Sequence, residues 1–203
     1  LLRLHKALCA KAKEFDHVIK MGRTQMQDAV PIRLGQEFNA YSVAVMRDIH
    51  RMDRAMEEMC TLNMGGTAVG TGINADEAYL RRIVPNLVEV SDMEFVQAYD
   101  LIDATQNLDP FVAVSGAVKA CAVTLSKIAN DLRLMSSGPR AGFGEINLPA
   151  KQNGSSIMPG KVNPVIPEVV NQVAFNIIGN DFTITMAAEA GQLELNAFEP
   201  VVF

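Results

Sequence analysis

The apolar positions of this chain recur in steps of three and four over long stretches. From Leu34 they run Leu34, Phe38, Tyr41, Val45, Ile49, Met52, Met56 and Met59. From Phe111 the repeat is stricter: Phe111, Val114, Val118, Cys121, Leu125, Ile128, Leu132 and Met135. A stripe with a period near 3.5 predicts long helices packed almost parallel in a bundle. A third long helix is expected to begin near Pro167, because proline and an acidic residue (Glu168) both suit a first helical turn. Val169, Val173 and Ile177 would form its apolar face, widened by Val170 and Ile178. A helix over Leu2 to Val18 and a shorter one over Asp76 to Val90 complete the set. No strand is expected: Phe95 to Tyr99 has no partner segment with comparable alternation. The fold class is therefore all-α, a long-helix bundle.

Small apolar residues (Ala113, Ala117, Ala120, Ala122, Ala129) flank the stripe of the second long helix. A helix apolar around most of its circumference is buried on most sides. A chain of 203 residues has few helices of its own to surround it, so a multi-subunit helical core is expected. The chain also opens at Leu1, directly in helical patterning, and stops after an apolar run. It reads as a single domain, residues 1–203, cut from a longer protein whose N-terminal and C-terminal parts are absent.

Composition narrows the function. With 49% hydrophobic residues the chain can build a core and is not disordered. Its 18 basic residues against 23 acidic ones leave no positive field to hold nucleic acid. No uncharged apolar run reaches the roughly 20 residues of a membrane span, so no membrane partner is expected. Cys9, Cys60 and Cys121 lie far apart and lack metal-ligand or redox spacing; a reduced, cytoplasmic location is expected, with no metal and no cofactor. His5, His17 and His50 are placed on helices, away from any candidate site.

Three connections interrupt the helices: Ile19 to Arg33, Asn63 to Ala75, and Ser136 to about Asn163. Long irregular connections in a compact domain are usually functional. The last carries Gly154-Ser155-Ser156-Ile157-Met158-Pro159-Gly160-Lys161-Val162-Asn163-Pro164, with two hydroxyls, a lysine and an amide between glycines, just before a helix. Glycines let backbone N–H groups turn to a ligand and the lysine adds positive charge, so an anion is the natural ligand. A surface loop with scattered polar residues is the alternative. Gly22 to Pro31, with Arg23, Thr24, Gln25, Gln27 and Asp28, is either a second ligand-binding segment or a locally bonded loop. The glycines of Asn63 to Asn74 fit tight turns and close helix approach at least as well as a site.

On these segments the chain resembles the aspartase/fumarase superfamily. Gly154 to Asn163 is similar to its signature Gly-Ser-Ser-x-Met-Pro-x-Lys-x-Asn, and Gly22 to Pro31 and Gly65 to Asn74 resemble two further blocks in the same order. Gln25, where fumarases typically carry histidine, and Pro164 to Gln172, Glu145 to Pro149 and Met186 to Gln192 point to the aspartase branch. Class II fumarase and a non-catalytic scaffold with the same fold are the alternatives. The resemblance implies a lyase that removes ammonia from L-aspartate by anti elimination, giving fumarate through an enediolate. It assigns Ser155 as the base, Ser156, Lys161 and Asn163 to the dicarboxylate substrate, Thr24 and Gln25 to substrate binding, and Glu168 to a supporting role. An uncharged Gln25 cannot form the charge-relay pair that the family's histidine makes with that glutamate. The resemblance also implies a homotetramer whose active sites combine loops of three subunits. One substrate block of the family lies outside this chain, so the isolated chain is expected to be inactive.

Overall fold

The computed structural model describes all 203 residues. In chain order the elements are α1 (Leu2–Glu14), β1 (Ile19–Thr24), β2 (Gln27–Arg33), α2 (Leu34–Glu58), β3 (Thr61–Leu62), α3 (Glu77–Ser91), β4 (Val96–Gln97), α4 (Leu101–Gln106), α5 (Asp109–Met135), α6 (Val165–Glu189) and α7 (Glu199–Val202). The three long helices anticipated from the apolar period are α2, α5 and α6, and the helical class holds. The chain divides into two compact units, Leu1–His50 with Ala120–Asn176, and Arg51–Lys119 with Ile177–Phe203.

In the first unit, α1 and the N-terminal part of α2 pack with the C-terminal part of α5. Their core is Leu8, Ala12, Leu34, Phe38, Tyr41, Val45, Ile128 and Met135. On α2 and α5 these are the stripe positions, spaced to fall on one face, and Leu8 and Ala12, four residues apart, share one face of α1. Edge-to-face contacts run from Phe15 to Phe38 and on to Tyr41, with centroids 5.2 and 5.8 Å apart. α2 begins against α1 at Gly35, where a Cβ would lie 2.3 Å from the Ala12 carbonyl oxygen. α1 stops at Glu14, four residues before the anticipated end, and His17 lies in the turn that follows rather than on a helix. The chain must turn there, with the Val18 carbonyl accepting from Leu34 N–H and the Phe15 carbonyl from Gly35 N–H.

Ile19 to Arg33 is not an irregular connection but an antiparallel hairpin. Apolar alternation is missing because Lys20 and Arg23 are half-buried along with only one apolar side chain, Ile32, while Ile19 and Val30 face outward. Its two-residue connection places Gln25 and Met26 at φ 51° and 67°, positions usually held by Asn and Gly. A second correction concerns Val96–Gln97, which pairs in parallel with Thr61–Leu62. Strands of two residues are too short to show a period.

In the second unit, Asp76 caps α3 by accepting from Ala78 and Tyr79 N–H. Asp100 does the same for α4, a six-residue helix too short for the apolar period to announce. Gly70 has φ +88°, and a Cβ there would lie 2.3 Å from Ile102 Cα, so the turn-and-approach reading of the glycine-rich segment holds at that position. Asp181 is buried and accepts from Ser115 Oγ at 2.8 Å and Lys119 Nζ at 2.5 Å. Asn196 is buried and donates to the Ala187 and Ala188 carbonyls near the end of α6.

The expected apolar face of α6 is corrected. The helix starts at Val165 and turns Pro167, Asn171, Ala174, Asp181 and Ala187 inward, whereas Val169 and Val173 are each 52% exposed and Phe182 69%. The polar residues Asn171 and Asp181 occupy the inner face because each finds hydrogen-bond partners there, which offsets the cost of burying them. α5 is long and apolar enough to cross a membrane by length and composition alone, although Lys119 and Lys127 interrupt it.

Candidate active site

Ser155 lies in the 136–163 segment, in the first unit. Its backbone N–H donates to the Lys161 carbonyl at 3.0 Å, and Lys161 N–H donates to the Met158 carbonyl at 3.1 Å. These two bonds close Ser155 to Lys161 into a compact turn. Gly160, at φ +84°, makes the reversal that a side chain would resist. Inside the turn, Ser155 Oγ accepts backbone N–H from Ile157 at 3.3 Å and from Met158 at 3.0 Å. Two donors aimed at one hydroxyl oxygen favour any negative charge that develops on it. Hydroxyls also bond nearby amides in ordinary turns, so the chemistry rests on what surrounds the turn.

Lys161 and Asn163 line an open cleft of about 770 Å³ formed wholly by residues 136–164. Arg140 lines the same cleft and adds a second cation. It escaped the sequence reading, although a cation between Gly138 and Gly142 was the available signal. Gly142 is required by packing, since a Cβ there would lie 2.4 Å from the Ser137 carbonyl carbon. A cleft with a lysine, an arginine and an amide is suited to a carboxylate-bearing ligand. Ser156 is exposed beside the turn.

The structure does not bring every expected residue together. Thr24 and Gln25 sit exposed at the tip of the hairpin and do not line this cleft. Glu168 meets Arg133 rather than Gln25, with Oε1 3.8 Å from Arg133 Nη2. Arg133 also donates to Asn171 Oδ1 at 3.2 Å, and the Asn171 amide donates to Ser126 Oγ at 2.8 Å and to its carbonyl at 3.1 Å.

Glu145, a residue whose role the sequence left blank, lies between two cations. Its Oε1 is 2.5 Å from Arg23 Nη1 and its Oε2 2.8 Å from Lys20 Nζ. Lys20 also reaches Glu37 on α2 at 2.7 Å, and Arg23 stacks over Phe143 at 4.2 Å from the ring centroid. Burial alone would push the Glu145 carboxyl up, but hydrogen bonds and charge from Lys20 and Arg23 outweigh it and hold it below the usual range. The Lys20 ammonium is pulled down by burial and raised more strongly by Glu145 and Glu37.

The model of the lyase family matches residues 1–179. An aspartate ammonia-lyase of Bacillus subtilis is 59% identical over 98% of this chain and 42% of its own length. Among solved structures, a fumarate lyase:delta crystallin from Brucella melitensis superposes with a TM-score of 0.94 at 56% identity, covering 98% of this chain and 44% of that one. A class II fumarase from Schistosoma mansoni superposes with a TM-score of 0.95 at 38% identity, over 98% and 45%. The chain thus spans well under half the length of the relatives it matches. Its family match covers most of its own length, including the serine turn and the cleft, and the chain belongs to the lyase family, of the aspartase/fumarase type.

Proposed function

We propose that this chain is the part of a carbon–nitrogen lyase that carries the base and one carboxylate-binding cleft for eliminating ammonia from L-aspartate. The observation that supports this most is the Ser155 turn, with its hydroxyl between two amide donors and its Lys161 on the wall of the cationic cleft. Ser155 Oγ takes a Cβ proton of the substrate. The electron pair moves into the adjacent carboxylate as an enediolate; its collapse forms the C=C bond and breaks the C–N bond, so that the substrate's protonated amine leaves as neutral ammonia and fumarate remains. The second negative charge exists only in the intermediate, so groups that meet it there lower the barrier. Lys161, Asn163 and Ser156 hold the carboxylates, Thr24 and Gln25 contact substrate from the hairpin, and Glu168 supports the site from α6. The 59% identity to a protein named aspartate ammonia-lyase favours aspartate over malate.

The exposed apolar face of α6 supports assembly, in this reading a homotetramer in the complete cytoplasmic protein, with residues 1–203 as its central helical domain. Fumarate formation followed at its ultraviolet absorbance tests the proposal. The complete protein should form fumarate from aspartate with release of ammonia and turn over malate poorly, and the 203-residue chain alone should do neither. Preferential turnover of malate would make the protein a fumarate hydratase, and inertness of the complete protein towards both would leave a scaffold.

A further inference from the structure

We infer that Glu145 is a positioning residue, a latch that sets the hairpin bearing Thr24 and Gln25 against the segment leading to the Ser155 turn. The inference deepens the proposed function and rests on it for what the latched residues do.

Its basis is an alternating row of charges, Glu37, Lys20, Glu145 and Arg23, drawn from α2, β1 and the 136–163 segment. The row is well shielded, with the Lys20 side chain 10% and the Glu145 side chain 16% exposed. Shielded ion pairs are screened little by salt, and losing one member leaves a buried charge without its partner. Glu145 itself is fixed at the end of α5, where its N–H donates to the Met135 carbonyl at 2.8 Å. The latch therefore joins the hairpin to a rigid helix end, and the loop continues from the same point.

The hairpin is built to present two cations to one carboxylate. Lys20 and Arg23 are three residues apart, and such residues face opposite sides of a regular strand. Between Met21 and Arg23 the register shifts, so that Ala29 and Val30 of β2 together oppose Gly22. A bulge of this kind adds local twist, and Lys20, Gly22 and Arg23 are all half-buried there. Gly22 is needed at the bulge because a Cβ would lie 2.8 Å from the Val30 carbonyl oxygen. Arg23 directly precedes Thr24. With the guanidinium held by Glu145 and the Phe143 ring, the exposed Thr24 and the strained Gln25–Met26 tip follow in a set orientation.

The test compares Glu145→Gln with the unchanged complete protein, with Glu77→Gln as a control charge removal at an exposed pair on α3. Amide hydrogen exchange reads the hairpin directly. The latch predicts at least tenfold faster exchange at residues 20–28 in Glu145→Gln, no change in α6, and no effect of Glu77→Gln. It also predicts a tenfold or greater loss of kcat/KM for aspartate in Glu145→Gln, with Glu145→Asp recovering part of both. Unchanged hairpin exchange would overturn the latch. Faster exchange in the hairpin and α6 alike would also overturn it, since Glu145 would then hold the whole fold. Faster hairpin exchange with kcat/KM within twofold of the unchanged protein would remove the positioning role. If the unchanged protein does not release ammonia from aspartate, the proposed function fails by itself, and hydrogen exchange still decides the latch.

Discussion

The backbone N–H of Met158 donates to the Ser155 hydroxyl oxygen at 3.0 Å, three residues along the same turn. A serine hydroxyl is a poor base near neutral pH unless its oxyanion is stabilised. This bond, with its neighbour from Ile157, supplies donors that are already in place before any proton moves. Ser155→Ala in the complete protein should lower turnover of aspartate by about a hundredfold or more, the scale of a lost acid–base group. Thermal unfolding should barely change, because the two freed amides lie in an exposed turn where water can meet them. A steady-state assay beside a melting curve checks both.

The Glu145 and Lys20 shifts set opposite ends of a stability profile. The Glu145 pKa is lowered in the fold, so its contribution is present above the unfolded value of 4.5 and is lost as pH falls through the lower folded value. The Lys20 pKa is raised, so its contribution is complete below 10.5 and is lost as pH rises through the higher folded value. Tyr41 adds to the alkaline loss, since burial first, and then the charges of Glu37 and Asp131, raise its phenol. Denaturation midpoints measured across pH should show a flatter acid limb in Glu145→Gln than in the parent.

Asn171→Leu should destabilise the chain by about 1–2 kcal/mol, the net worth of the hydrogen bonds lost by a buried amide whose partners, the half-buried Ser126 and the exposed Arg133, can still meet water. The substitution strips Ser126 Oγ of a donor and Arg133 of an acceptor. Arg133 also faces Glu168, so the loss should extend to the start of α6. Urea denaturation measures the first effect and hydrogen exchange at residues 165–170 the second.

Two glycine-to-alanine changes should have opposite signs. Gly35→Ala puts a methyl 2.3 Å from the Ala12 carbonyl oxygen and 2.6 Å from Asp16 Cα, both backbone. It should cost about 1–3 kcal/mol as α1 and α2 are forced apart. Gly116→Ala, within α5, meets nothing within 4 Å and should stabilise the chain by about 1 kcal/mol through helix propensity. Chemical denaturation of the two variants side by side separates the effects.

The helices were legible because burial of an apolar stripe leaves a period in the sequence. Phe38, Tyr41 and Val45 are core residues for the same reason that they recur in steps of three and four. The serine turn was legible through its residue types, Gly154, Ser155, Gly160 and Lys161. The hairpin was not, because its inward positions Lys20 and Arg23 are stabilised by Glu145, a partner more than 120 residues away from either. Local periodicity carries no record of such a pairing.

By itself, then, the sequence determined the helical class, the long helices and the chemistry available at Ser155, Lys161 and Asn163. Each of these depends on residue type and near-neighbour spacing. Only the tertiary structure decided which α6 face turns inward, that Glu168 meets Arg133, that Arg140 shares the Lys161 cleft, and that Glu145 ties the hairpin to the end of α5. These depend on where distant charges and buried amides find partners. That is settled when the chain closes on itself and solvent leaves, because a polar group is buried only where its partner is already waiting.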